Sequence, residues 1–479
     1  MPETAAITFE LLPLEGVLFS LTHVAAAVAA TAHVLMNKRD VRAAIGWIGV
    51  IWLSPFFGAL LYVGFGVNRV HRKARRLRGM KQSHAFGKGG GADEDSPRAR
   101  LALAIEAISG LPLRAAVVEQ VLRAGDEGYP EMLTAIDGAK TSVELSTFIF
   151  RVDDVGERFI AALTRAHKRG VAVRVLIDGM GGGFFLSRAY RRLRAEGVPA
   201  ARFLHSVLPW RMPLLDLRLH KKALIVDDAV AFVGGLNIAA ENVLAKPTAE
   251  PVQDVHFRVS GGVVRQIAAS FDDDWTFATG EEAPERDFPS RRTAAGPERS
   301  SRMRAIPSGP DLAIDQLALV LQAAIASARS SIRIATPYFL PEEALLTALQ
   351  LAALRGVEVT LTTPERNNHR MVAWAFEAHV RPLIEAGCRL YRSPPPFDHS
   401  KLMTVDDEWC LIGSANWDAR SLRLNFELAV EVYDAELAGA LSKMIQEKCG
   451  ARMTLAELDG RPLPVKLRDA TVRLMAPYL

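Results

Sequence analysis

The chain has 479 residues, of which 49% are hydrophobic and 23% are charged, and its formal net charge at pH 7 is +4. This hydrophobic content is sufficient for a membrane anchor together with one large core. The small net charge gives no support for a nucleic-acid partner. The three cysteines, Cys388, Cys410 and Cys449, are widely spaced, which argues against a disulfide framework or a zinc site and predicts reduced thiols.

Two apolar segments lie near the N-terminus. Residues 17–36 and 43–67 contain no formally charged side chain, and each is long enough as a helix to cross a hydrocarbon layer of about 30 Å. Only residues 37–42 separate them, so the pattern predicts a transmembrane helical hairpin within residues 1–80. The alternative is a pair of helices buried in a soluble core, since the first segment is rich in alanine.

Basic residues predict the orientation of this hairpin. Six Arg and Lys residues lie between positions 69 and 78, whereas three lie between positions 38 and 42. Because basic residues concentrate on the cytoplasmic side of membranes, the long C-terminal part is expected in the cytoplasm. The same basic cluster would bind an anionic lipid surface. A glycine-rich stretch within residues 81–100 then predicts a flexible linker.

One spacing of four residue types occurs twice in the chain. Lysine follows histidine by two positions, aspartate by seven and asparagine by seventeen. The first set is His220, Lys222, Asp227 and Asn237, and the second is His399, Lys401, Asp406 and Asn416. With eleven histidines in the chain, chance would give roughly 0.03 matches to the His-Lys-Asp skeleton alone. The two sets therefore have a common origin.

The flanking segments repeat as well, which indicates an internal duplication. Residues 142–147 correspond to 331–336, and residues 169–173 correspond to 355–359. The pattern predicts two α/β halves, residues 101–278 and 311–479, joined by a linker at 279–310. The simplest packing is a pseudo-twofold pair with both histidines at the seam.

This doubled motif resembles the phospholipase D superfamily, whose members join two such sets into one active site. More narrowly, nearly the whole chain resembles bacterial cardiolipin synthases with two N-terminal membrane helices. The matching segments are 46–47, 55–58, 62, 254–258, 416–421, 425–427 and 473–477. The resemblance implies an enzyme of the bacterial inner membrane.

The reaction implied by the resemblance is a phosphatidyl transfer. Two molecules of phosphatidylglycerol would give cardiolipin and glycerol through a phosphohistidine intermediate. The resemblance implies His220 as nucleophile and His399 as acid and base, and the duplicated sequence itself leaves the reverse assignment open. A phospholipase D hydrolase, or a transferase with another alcohol acceptor, is the alternative, because it would use the same residues. The sequence leaves the oligomeric state open.

Several further residues are assigned from the chemistry that a phosphodiester requires. Lys222, Lys401, Asn237 and Asn416 are expected to hold the phosphoryl oxygens, so that no metal or other cofactor is needed. Gly235 and Ser414 are expected to let the backbone approach the phosphate.

The acidic residues near the motifs are given different roles. Asp254 and Glu427 are expected to orient the histidines, and the resemblance supports this more clearly for Glu427. Asp227 and Asp406 belong to the catalytic motif, but five residues beyond a lysine they fall in a turn or on the opposite strand face, which leaves a structural role open. Asp398, immediately before His399, is expected to raise the pKa of His399 or to narrow the acceptor site.

Overall fold

The computed structural model describes residues 14–38, 41–63, 96–183, 186–204, 217–282, 300–310 and 315–476. The chain divides into two units, Met1–Lys73 and Ala74–Leu479. The predicted basic cluster at 69–78 and most of the predicted linker at 81–100 lie outside the described residues. Both halves of the repeat belong to the second unit.

The first unit consists of helices α1 (Leu14–Asn37), α2 (Val41–Leu53) and α3 (Pro55–Leu61). The prediction of one uninterrupted second helix over 43–67 is wrong, because the helix is broken at Ser54, which has φ −149° and ψ 74°. The ring of a proline disfavours the helical conformation of the residue before it, and Pro55 directly follows Ser54. Across the described ranges, no helix has both the length and the apolar character that crossing a bilayer requires.

The second unit begins with the first α/β half. Its strands are β1 (Arg114–Arg123), β2 (Ser142–Thr147), β3 (Ala172–Asp178), β4 (Ala200–Phe203), β5 (Ala223–Val226), β6 (Val230–Gly234), β7 (Val252–Gln253) and β8 (Val255–Gly261). Its helices are α4 (Pro97–Ser109), α5 (Ala124–Gly138), α6 (Asp154–Lys168), α7 (Arg188–Ala195) and α8 (Gly262–Thr279).

The second α/β half repeats this order with additions. Its strands are β9 (Ser301–Ser308), β10 (Ser331–Ala335), β11 (Phe339–Leu340), β12 (Glu358–Pro364), β13 (Arg389–Ser393), β14 (Phe397–Asp398), β15 (Leu402–Val405), β16 (Trp409–Gly413), β17 (Trp417–Asp418), β18 (Glu427–Tyr433) and β19 (Ala451–Arg452). Its helices are α9 (Gln316–Ser327), α10 (Glu343–Leu354), α11 (Arg370–His379), α12 (Arg381–Glu385), α13 (Ala419–Arg423), α14 (Ala435–Glu447), α15 (Leu455–Gly460) and α16 (Leu463–Arg473).

The two halves share one sheet. Among the described residues it has fifteen strands in the order β19-β13-β12-β10-β15-β16-β18-β9-β1-β8-β6-β5-β2-β3-β4. Read outward from the β9–β1 pair, each strand of one half has its counterpart in the other, with β19 as an addition at one edge. The predicted duplication and its pseudo-twofold packing are therefore confirmed. The central pair β1–β9 is antiparallel, as a twofold axis between equivalent strands requires.

Strand β9 corrects the predicted linker at 279–310. It pairs with β18 from Arg302 to Ser308 and with β1, so it lies in the middle of the sheet. Its charged residue Arg304 is fully buried beside Glu431, with 2.6 Å between Arg304 Nε and the carboxylate. The arginine also donates to the carbonyl oxygens of Leu111 and Ala102. A buried charge is tolerated only when it is paired in this way, and sequence composition does not reveal the partner.

Candidate active site

The two motif histidines lie at the seam between the halves. His220 precedes β5 and His399 precedes β15, and these two strands are equivalent in the pseudo-twofold sheet. The ring centroids are 6.5 Å apart, and the ring planes meet at 81°. One small headgroup therefore reaches both imidazoles, and the structure brings the two motif histidines into one site.

Each histidine is held by the half to which it does not belong. His220 Nδ1 is 2.9 Å from the carboxylate of Glu427, and His399 Nδ1 is 2.7 Å from that of Asp254. The backbone follows the same rule, because His220 N donates to the carbonyl of Phe426 and His399 N to that of Gln253. A carboxylate on Nδ1 favours the tautomer with a proton there, which leaves Nε2 of each ring for the substrate.

The two lysines are buried beside the rings. Lys222 Nζ donates to the carbonyl oxygen of His220 at 2.7 Å and lies 5.4 Å from the centroid of Phe148. Lys401 Nζ is 2.7 Å from His399 Nδ1 and 3.9 Å from Asp254. Burial lowers the pKa of Lys222 to about 7 and that of Lys401 to about 8. Two poorly solvated cations in one pocket favour the binding of an anion.

Both histidines lie where burial lowers the imidazole pKa, which favours the neutral ring. Burial, followed by the charge of Lys401, lowers the pKa of His399 to about 3. Burial and the charge of Lys222 place the pKa of His220 well below its ordinary value. An imidazole that starts neutral is able to act as a nucleophile, and protonation of either ring requires a further negative charge nearby.

The two carboxylates differ in their surroundings. Glu427 accepts from Ser414 Oγ at 2.6 Å and from Asn425 Nδ2 at 3.1 Å, and burial raises its pKa to about 7. Asp254 is buried as well, but Lys401 and the hydrogen bond from His399 leave the pKa of Asp254 below its ordinary value. The halves therefore differ at the carboxylates, although the motifs themselves are the same.

Gly235 and Ser414 have contacts with the two carboxylates, and their predicted role in phosphate binding stays a prediction. A Cβ atom at Gly235 would lie 2.1 Å from Asp254 Oδ1, so glycine leaves room for that carboxylate. The backbone N–H groups of Gly235 and Ser414 already donate to the carbonyls of Val255 and Leu428. Both residues therefore position the carboxylates that hold the histidines.

The two predicted phosphate-binding asparagines are buried near the seam. Asn237 Oδ1 accepts from the backbone N–H of Ile149 at 3.1 Å, which fixes the direction of its amide. Asn416 is hydrogen-bonded to Asp418, and within the described residues its Oδ1 has no hydrogen-bond partner. Buried amide groups that are held in place in this way are suited to contact phosphoryl oxygens.

The structure does not bring Asp227 and Asp406 to the histidines. The prediction that these two aspartates are catalytic residues is therefore corrected. Asp227 accepts from the backbone N–H groups of residues 140–142, and Asp406 accepts from those of residues 329–331. Each lies at the far end of its motif strand, roughly 16 Å of extended chain beyond the lysine. Their φ angle of 55° is typical of a tight turn.

Asp398 does not act on His399 as expected. Its carboxylate accepts from Ser400 and lies 2.7 Å from Lys448 Nζ, and the pKa of His399 is lowered, not raised. In the first half, Lys221, the counterpart of Ser400, forms an ion pair with Asp274 at 2.7 Å. Each half therefore has a buried ion pair next to its motif histidine.

Aromatic side chains around the imidazoles were missed by the sequence reasoning. Phe148 contacts His220 with 5.2 Å between ring centroids, and Tyr338 and Phe397 contact His399 at 6.2 and 6.0 Å. No spacing rule connects these residues to the motifs, since loops after β2 and β10 bring Phe148 and Tyr338 there. Only the repeat alignment of residues 142–147 with 331–336 pointed to those loops.

Comparisons with known proteins agree with this geometry. The family described as "Cardiolipin synthase, PLD-like domain" matches residues 132–275 and 321–449, and "Phospholipase_D-nuclease N-terminal" matches residues 25–66. A cardiolipin synthase of Geobacillus thermodenitrificans is 31% identical over 98% of this chain and 98% of its own. The major cardiolipin synthase ClsA of Bacillus subtilis is 29% identical over 97% of this chain and 100% of its own.

A solved structure shares the fold. The phosphatidylserine synthase of Haemophilus influenzae superposes with a TM-score of 0.59 at 16% identity, covering 79% of this chain and 100% of its own. The duplicated sheet with paired His-Lys sets at its seam defines an enzyme of the phospholipase D type. The chain belongs to the cardiolipin synthase family of phospholipase D-like proteins.

Proposed function

We propose that the enzyme transfers a phosphatidyl group from one phosphatidylglycerol to another and releases glycerol, so that cardiolipin is formed. The observation that carries this proposal is the 6.5 Å separation of the two imidazoles, each with its own buried lysine. The relatives named cardiolipin synthase extend over almost the whole chain, which supports the same donor and acceptor.

In the first step, His220 Nε2 attacks the phosphorus of the donor lipid. The bond between phosphorus and the glycerol oxygen breaks, and His399 gives that oxygen a proton as glycerol leaves. The donor's phosphodiester brings a negative charge next to His399, which raises its pKa and allows it to hold this proton. Glu427 stabilises the positive charge that develops on His220.

In the second step, a hydroxyl of the acceptor's glycerol headgroup attacks phosphorus. The new P–O bond forms as the P–N bond to His220 breaks, and the hydroxyl proton passes to His399. Lys222, Lys401, Asn237 and Asn416 hold the phosphoryl oxygens throughout. Their fixed charges and dipoles stabilise the negative charge in the transition state.

The proposal includes a membrane anchor in the N-terminal unit. The uncharged segments at 17–36 and 43–67 and the family match over 25–66 support it. The unit would form a hairpin in the bacterial inner membrane, with the catalytic part in the cytoplasm next to anionic lipid. Reporter fusions after residue 40 and after the C-terminus test this topology, since they must give opposite locations.

A product assay tests the activity. The purified protein is incubated with phosphatidylglycerol, with and without phosphatidylethanolamine, and the lipids are resolved by mass. Cardiolipin and glycerol in equal amounts from phosphatidylglycerol alone are expected. The double variant His220→Asn, His399→Asn serves as the control and must give neither product. Phosphatidate as the sole product would identify a hydrolase instead.

A further inference from the structure

The two sides of the active site differ in chemistry, although the fold is symmetric. On one side, Phe148 lies against His220, with 5.2 Å between centroids. A Cβ atom at Gly181 would lie 2.7 Å from the Phe148 ring, so the loop after β3 packs tightly there. This described part of the His220 side presents an aromatic surface to the ring.

On the other side, a polar group borders His399. The Tyr338 ring lies 6.2 Å from His399 and 5.4 Å from His369. The Tyr338 hydroxyl donates to Asn368 Oδ1 at 2.7 Å. Asn367 holds this loop by accepting from the backbone N–H of His369 and donating to the carbonyl of Pro337. Asn368 and His369 are exposed, so their polar atoms are open to a ligand.

Equivalent residues of the two halves show that the chemical difference between the two sides lies in the loops after β2 and β10. Thr147 Oγ1 donates to the carbonyl of Ile149, and Thr336 Oγ1 donates to that of Tyr338. Ile149 therefore occupies in the first half the place that Tyr338 occupies in the second. An isoleucine offers no hydrogen bond, whereas a phenol both donates and accepts.

We propose that Tyr338, Asn368 and His369 form the subsite for the polyol headgroup. In the first step this subsite holds the glycerol that leaves, and in the second step it holds the glycerol headgroup of the acceptor lipid. This inference rests on the proposed function and adds where the alcohol binds. Leaving and entering alcohols both exchange a proton with the same histidine, so their subsite must adjoin it. The subsite borders His399, the residue assigned to that proton transfer.

The subsite also explains how an alcohol competes with water. Water is small and attacks from many directions, whereas a headgroup with neighbouring hydroxyls is oriented by several hydrogen bonds at once. A site built to bind hydroxyls discriminates strongly against a molecule that cannot make the same bonds. Loss of the three polar groups should therefore raise the share of hydrolysis.

Headgroup exchange measures this subsite directly. The full-length purified enzyme is given phosphatidylglycerol and ¹³C-labelled glycerol in mixed micelles, and labelled phosphatidylglycerol, cardiolipin and phosphatidate are quantified by mass. The variants are Tyr338→Phe, Asn368→Ala and His369→Ala. The matched controls are Tyr391→Phe and His167→Ala, which change the same residue types outside the site. Phosphohistidine trapped by a denaturing quench at mildly alkaline pH, where the P–N bond is stable, reports the first step separately.

For the Asn368→Ala, Tyr338→Phe double variant we expect the apparent KM for glycerol to rise about tenfold, as for the loss of one or two hydrogen bonds. The ratio of phosphatidate to cardiolipin should rise with it, while the phosphohistidine trapped at saturating phosphatidylglycerol stays within twofold. Asn368 and His369 are exposed, so these single variants should fold. An unchanged glycerol KM and product ratio in all three single variants would overturn the subsite.

This outcome is distinct from a failure of the proposed function. If the wild-type enzyme forms no cardiolipin, the assignment of the acceptor lipid is wrong. Exchange of labelled glycerol into phosphatidylglycerol would still test the subsite in that case. If the wild-type enzyme forms cardiolipin and the variants behave as the controls do, the subsite alone is wrong.

Discussion

His220 Nδ1 is hydrogen-bonded at 2.9 Å to the carboxylate of Glu427, which lies 207 positions further along the chain in the other half of the repeat. His399 and Asp254 form the reciprocal pair over 145 positions. Strand pairing maintains both contacts, because β7 pairs with β14 and Leu219 forms a bridge with Phe426. The catalytic groups are thus placed by long-range backbone pairing.

The substitution Glu427→Gln should lower kcat by about 10²–10⁴-fold, because an amide holds the wrong tautomer of His220 and does not stabilise its positive charge. Asn425 and Ser414 keep the side chain in place, so the melting temperature should change little. Phosphohistidine recovered after a denaturing quench at mildly alkaline pH, measured against product formation, locates the loss in the first step. A variant with normal phosphohistidine formation would show that Glu427 does not act on His220.

The pH dependence of kcat/KM should fall on the alkaline side near pH 7–8. Burial lowers the pKa of Lys222 to about 7 and that of Lys401 to about 8, so these groups are charged below those values and neutral above them. Loss of either cation removes stabilisation from the phosphoryl oxygens. With both histidines involved, the full profile should be bell-shaped and should belong to the coupled groups. A flat profile from pH 6 to 10 would contradict this.

The substitutions Asp227→Ala and Asp406→Ala should destabilise the fold and spare the chemistry. Each removes a carboxylate that accepts several hydrogen bonds from backbone amides, at a cost of about 1–3 kcal/mol in the free energy of unfolding. Activity per folded molecule should stay within about threefold. Denaturant unfolding and kcat on the same preparations measure both, and His220→Ala is the opposite control, inactive with near-normal stability.

The buried pair at the centre of the sheet gives a stability prediction. Arg304→Met leaves Glu431 charged and unpaired in the core and should cost about 3–5 kcal/mol. The double variant Arg304→Met, Glu431→Leu should recover most of this loss. Arg381→Ala, which breaks exposed pairs with Glu385 and Asp459, should change the free energy of unfolding far less. Additive losses in the double variant would show that the two side chains do not stabilise each other in the folded protein.

Removal of divalent ions should leave the reaction unaffected. Lys222 and Lys401 neutralise the charge on the phosphoryl oxygens, so no step of the proposed reaction requires a metal ion. Dialysis against EDTA followed by the cardiolipin assay measures this, with excess magnesium as the add-back. A loss of activity that magnesium restores would require a different source of charge compensation.

Much of this arrangement was predictable from local pattern. The doubled spacing predicted both histidines in one site, and the strand runs predicted the hairpins that carry them. Gly235 was noticed as a glycine for close approach, but the group that approaches is Asp254. Strand β9 was missed because its arginine is compatible with the core only through Glu431. Such pairings depend on residues far apart in the chain, and no spacing rule encodes them.

Each histidine takes its carboxylate from the other half of the repeat, and this arrangement limits how such a protein can evolve. A lone ancestral repeat would have had an imidazole without its acid, and would have worked only when two copies associated face to face. Fusion into one chain made that association permanent. It also freed the rims of the two half-sites to diverge, so that one came to present phenylalanine and the other a tyrosine with its amide neighbour.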